Sequence, residues 1–160
     1  MIKKLDLFRG FAAFYVFLSH LFLNEVPIDY GYWKIFIKFG QEAVMMFFVL
    51  SGFVIYYAYR KNVNIKFKTY FIKRFRRIYF PFICALLISY IVILINKENY
   101  KIDIINLFAN LLMLQDLDVK PGIWFSPALE NGPLWSLSYE WWFYMLFFII
   151  IKNIKPEMQH

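Results

Sequence analysis

Long apolar runs separated by short polar or basic stretches dominate the chain. Four runs are long enough to cross a membrane as helices, at about 7–23, 43–59, 78–95 and 134–151. Some 20 apolar residues rising ~1.5 Å each cover a hydrocarbon layer of ~30 Å. The clearest, Ala43–Tyr59, holds no charged residue. A fifth run, Ile102–Leu114, is shorter and broken by Asp103, Asn106 and Asn110. It reads as a re-entrant or interfacial segment. The pattern predicts an all-α integral membrane protein, a bundle of about four to five transmembrane or re-entrant helices.

The connections carry their own signals. Asn24, Glu25, Pro27 and Asp29 make a polar link, and Tyr30, Tyr32 and Trp33 after it read as an interfacial aromatic belt. Ser51-Gly52, inside the second run, is a pair of small residues suited to close helix approach. Pro81 is expected in the first turn of the third span, where a missing N–H costs little. Ser136 and Ser138 read as capping or packing hydroxyls, since no Ser-His-Asp pattern accompanies them.

Composition agrees with the pattern: 61% of residues are hydrophobic and 23% aromatic. That excludes an ordinary soluble domain. The net charge of +7 is not read as a nucleic-acid footprint, because the basic residues stand beside apolar runs, where they set orientation and meet anionic lipid. From Arg60 to Arg77 there are eight basic residues and no acid, which places this stretch in the cytoplasm. If Ile102–Leu114 does not cross, the N-terminus, the basic stretch, Lys152 and Lys155 share the cytoplasmic side, and Gln115–Pro133 lies outside. Cys84 is single, so no intrachain disulfide is available. Lys3 and Lys4 precede a long apolar run with no small-residue cleavage site, so the first span is read as retained.

Candidate chemistry lies within the greasy segments. In Leu5–Leu21, Arg9 and His20 are eleven residues apart, so a helix sets them about 16 Å apart and within roughly 20° of one face. An ordinary membrane helix with Arg9 snorkelling explains the pair equally well. Asp6, three residues before Arg9, is positioned to pair with it. Arg74, Arg76 and Arg77 serve as topological anchors and are also candidates for holding a polyanion, since guanidinium forks match phosphate. Glu140 lies between aromatic residues near the start of the last run. It is a functional candidate, or an interfacial glutamate favoured by the helix dipole.

Four segments in this order resemble the membrane-bound acyltransferase family 3: Leu5–His20, Phe47–Ile55, Lys73–Pro81 and Leu134–Tyr144. Arg9 and His20 match the family's arginine–ten residues–histidine motif. The chain departs from the family pattern at Leu7, Ala43 and Met45, and by one extra residue between Arg77 and Pro81. The resemblance covers nearly all of this chain and the N-terminal half of the family's larger helical domain. It implies transfer of an acyl group, acetyl above all, from acyl-CoA to a hydroxyl of a cell-surface carbohydrate. Membrane lipid, acyl-CoA and the carbohydrate are then the partners, with no metal and no nucleic acid. The expected location is a bacterial-type inner membrane, multi-pass, with a cytoplasmic N-terminus. In that reading His20 is the base, Glu140 positions or polarises, and Arg9, Asp6, Arg74, Arg76 and Arg77 hold substrate. Two rival expectations remain: an inert half-domain acting at most as a membrane partner, and a fragment of a transporter.

Overall fold

The computed structural model describes residues 2–22, 39–96, 100–117 and 121–153. The polar link and aromatic belt at 24–33, with Lys97, Asp118, Lys120 and Lys155, lie outside the described residues. The described elements are five α-helices and two short 3-10 turns. They fall into two compact units, Met1–Asn64 and Ile65–His160.

The first unit pairs α1 (Ile2–His20) with α2 (Gly40–Arg60). The helices run antiparallel, since Arg9 meets Ser51 while Ser19 meets Gly40. The buried residues of α1 are Arg9, Ala12 and Ser19, and those of α2 are Ser51, Val54, Ile55 and Tyr59. The close approach is not at Ser51-Gly52. A Cβ on Gly52 would meet nothing within 4 Å, whereas one on Gly40 would stand 2.7 Å from the Ser19 hydroxyl. Because Ser51 faces Arg9, its hydroxyl is used as an acceptor rather than as a small surface.

The second unit is built on α3 (Phe67–Ile95), which begins eleven residues before the apolar run that predicts it. Lys and Arg are good helix formers, and four aromatic residues one turn apart join the basic part to the apolar part. Phe67, Phe71, Phe75 and Tyr79 follow one another with ring centroids 5.7, 5.9 and 4.1 Å apart. This ladder packs against α5 (Trp135–Asn153), with Phe67 against Phe148 at 5.1 Å and Tyr79 against Trp141 at 5.1 Å. A 29-residue helix is about 44 Å long, so its basic turns extend beyond a hydrocarbon layer of ~30 Å. Pro81 is therefore in the helix interior, not in a first turn. It leaves the Arg77 carbonyl without its usual amide donor, where the basic turns give way to the apolar ones.

Between these helices lies α4 (Ile104–Leu111), eight residues long and too short at about 12 Å to cross. Asp103 caps it, accepting from the amides of Ile105 and Asn106 at 2.9 and 3.0 Å. Asn110 is fully buried and fastens the following loop to the helix. Its amide donates to the Asn106 and Ser126 carbonyls at 2.9 Å, and its Oδ1 accepts from the Ala128 amide at 2.9 Å. Tyr79 ties the end of α4 to α3 through the Leu111 carbonyl at 3.0 Å, and Asn131 reaches Ser89 at 2.8 Å.

Among the described residues, three stretches are long and apolar enough to cross a membrane: α2, α3 and Gly132–Asn153, which contains α5. Large apolar side chains such as Phe53, Phe80, Ile95 and Ile149 stand exposed along them, as hydrocarbon requires and water penalises. α1 is not among the three. Lys3, Lys4, Asp6 and Arg9 fall in its first eight residues and shorten its apolar part.

Candidate functional site

In the first unit the site is built around Arg9, which is only 3% exposed. Its Nε donates to the Ser51 hydroxyl at 3.1 Å, its guanidinium lies 5.1 Å from the Phe47 ring centre, and its Nη1 reaches the Asp6 carboxylate at 3.4 Å. Asp6 is half exposed, so this ion pair contributes little in itself. The α2 contacts fix the rotamer, since a buried cation needs a hydrogen-bond acceptor and gains from an aromatic face. The stripe of α1 that is buried runs through Arg9, Ala12 and Ser19, so Ala13 and His20, one position on, are exposed. His20 is the last residue of the helix, about 16 Å along it from Arg9. Both can serve one ligand only if that ligand is extended. Between these levels α1 and α2 leave an apolar groove of about 460 Å3, lined by Phe8, Phe11, Tyr15 and Met46 together with Glu42.

In the second unit the structure brings Glu140, Tyr144, Tyr70 and Arg74 together. Glu140 is buried, and the Tyr144 hydroxyl one turn on donates to its carboxylate. Tyr70 donates to the Tyr144 carbonyl at 2.8 Å. The Arg74 guanidinium lies over the rings of Tyr144 and Tyr70, at 4.8 and 5.4 Å, and its Nε is buried without a hydrogen-bond partner. Arg76 and Arg77 are exposed. Glu140 is thus a packed residue held by its own helix, not a glutamate on a surface. Ser138 and Ser136 have packing roles: the single Ser138 O–H is shared between the Gln115 and Trp135 carbonyls at 2.7 and 2.8 Å, and Ser136 donates to the Pro133 carbonyl at 3.0 Å.

The site residues therefore fall into two sets. Asp6, Arg9 and His20 belong to the first unit, and Arg74, Arg76, Arg77 and Glu140 to the second. Sequence reasoning missed the partners Ser51, Phe47, Tyr144 and Tyr70. The available signal was general: a cation or carboxylate inside an apolar run requires a nearby polar or aromatic neighbour.

Comparison with known proteins follows the same residues. An acyltransferase domain family matches residues 2–156, nearly the whole chain. The chain belongs to this acyltransferase family. The acyltransferase MdmB of Streptomyces mycarofaciens is 31% identical to it over 147 residues. That match takes in 87% of this chain and 36% of MdmB, so the chain spans about a third of its relative's length. No solved structure matches it. In this acyltransferase-family chain, the buried Arg9 and the exposed His20 are the two ends of the motif on α1.

Proposed function

We propose that the chain is the part of a membrane acyltransferase that receives acyl-CoA at the cytoplasmic face of an inner membrane and presents its acyl group to a carbohydrate hydroxyl. The observation that carries this reading is Arg9: a buried cation held by Ser51 and Phe47, in a helix that ends on an exposed histidine. Acyl-CoA has an anionic head and a long flexible arm. Within the first unit Arg9 suits the head and the apolar groove beside α1 suits the arm, and the basic turns of α3 carry the same chemistry in the second unit. Arg74, packed over two rings, has an Nε–H without a partner, a donor suited to a phosphate oxygen.

In the reaction, His20 as neutral imidazole takes the proton of the acceptor hydroxyl. The oxygen attacks the thioester carbon, the C–S bond breaks, and coenzyme A leaves as the thiol once its sulfur receives a proton. Glu140, fixed by Tyr144, holds the charge arrangement around Arg74 and is a positioning residue. Acetyl is the acyl group, and a cell-surface polysaccharide the acceptor class, that the family resemblance favours. The test is transfer of radiolabelled acetyl from acetyl-CoA by the intact protein in membranes. His20→Ala is expected to lower the rate about 100- to 10,000-fold, the usual worth of a general base. An unchanged rate overturns the assignment.

A further inference from the structure

A second cavity, of about 350 Å3, opens in the second unit where the loop after α4 passes the first half of α5. Its walls include Met113, Gln115, Asp116, Tyr139, Trp142 and Phe143. Resting on the acyl-transfer reading, we propose that this cavity is an acceptor subsite that binds a sugar ring through its hydroxyls.

The cavity is firmly built. Met113 turns the chain with φ of 57°, in the left-handed region that non-glycine residues seldom adopt. Around that turn α5 holds the loop by its carbonyls: the Trp142 indole donates to Met113 at 2.8 Å and the Ser138 hydroxyl to Gln115 at 2.7 Å. The Gln115 side chain, 2% exposed, donates through Nε2 to the Leu134 carbonyl at 3.1 Å. Its Oε1 is buried and has no hydrogen-bond partner. A buried acceptor left unpaired is costly, and in this proposal a small shift of the Gln115 side chain presents it to a ligand hydroxyl.

The rest of the wall has the same chemistry. Tyr139 donates its hydroxyl to both Asp116 carboxylate oxygens at 3.0 Å, the bond that a neutral sugar hydroxyl also makes. Polar groups that accept, with three aromatic rings beside them, ask for a ligand rich in O–H donors and with C–H faces for the rings. At ~100° per residue, Tyr139, Trp142 and Phe143 lie on a different side of α5 from Glu140 and Tyr144, with Trp142 nearly half a turn round. The cavity is thus a site of the second unit itself, on its own side of α5. It lies on the half of α5 away from Lys152, the outer half in the proposed orientation, where a surface polymer is met.

The test is saturation-transfer difference NMR on the intact protein in micelles, without acyl donor, using methyl glycosides of glucose, galactose and N-acetylglucosamine. At least one is expected to bind saturably in the millimolar range. Asp116→Asn should weaken binding about tenfold or more, as losing a hydrogen bond to a charged group does. Phe143→Leu, at an exposed ring, should weaken it several-fold without touching Asp116, which keeps the test valid if Asp116→Asn fails to fold. No saturable signal, equal affinity in the variants, or binding of tetramethylammonium in place of every glycoside overturns the proposal. Transfer from acetyl-CoA is measured separately. Transfer without glycoside binding refutes the subsite alone, and glycoside binding without transfer refutes the acyl-transfer reading alone.

Discussion

Replacing Ser51 by alanine removes one oxygen and leaves Arg9 buried with its Nε unpaired. The hydroxyl accepts that N–H at 3.1 Å, between residues 42 apart in sequence and on different helices, so the bond is tertiary. Hydrogen bonds to charged groups are worth about 1.5–3 kcal/mol in proteins. Bonds between membrane helices average nearer 0.6 kcal/mol, with about 1.7 as the upper end, because helices separated in lipid find other partners. Arg9 is 3% exposed, and its other contacts include a ring at 5.1 Å and a half-exposed carboxylate at 3.4 Å. Such burial keeps water from replacing the lost acceptor, and a loss of about 1–2 kcal/mol is expected, or a five- to thirty-fold shift in the folding equilibrium. Pulse proteolysis across a series of SDS mole fractions reads that equilibrium for α1 against α2. The same Ser51→Ala change in an Arg9→Met background should cost less than about 0.5 kcal/mol, since the buried donor is gone. An equal cost in both backgrounds would show that Ser51 acts by helix packing alone, and the site built on Arg9 would lose its anchor.

Asn110→Ala should be the more damaging change, since it strips partners from the Ser126 carbonyl and the Ala128 amide. About 2–5 kcal/mol is expected from two buried orphans, read as new protease cleavage in the loop before α5. Tyr70→Phe removes the bond to the Tyr144 carbonyl, and should cost about 1 kcal/mol in thermal unfolding while leaving the stack on Phe148 in place. Gly40→Ala should force the Ser19 hydroxyl to rotate, because the new Cβ would stand 2.7 Å from it. Since that oxygen is the end of a movable side chain, the expected loss is under about 1 kcal/mol, and Gly40→Ala with Ser19→Ala should restore it.

Much of the architecture was legible in the order of residues because hydrocarbon imposes a simple rule. A chain that crosses it must be apolar for about 20 residues and satisfy its own backbone, so α2, the apolar part of α3, and α5 stand out as runs. Asp103, Asn106 and Asn110 signalled a segment too polar to cross, and α4 is eight residues long. Hydropathy was less informative at helix ends. α3 starts at Phe67 because helix formation follows backbone bonding and the i, i+4 aromatic ladder, neither of which requires an apolar run.

The chemistry divides in the same way. Spacing alone put Arg9, Asp6 and His20 on one helix, because 3.6 residues per turn is a local property. Which neighbour accepts from Arg9, that the close approach is at Gly40 against Ser19 rather than at Gly52, and that Arg74 lies over the Tyr144 ring depended on how helices distant in sequence pack. The cavity at Gln115 and Tyr139 is likewise a product of a loop turned at Met113 and held against α5. The sequence by itself determined the helices and the residue types they carry. Only tertiary structure decided their partners, because a side chain's burial and hydrogen bonds depend on the neighbouring helix that its own sequence does not contain.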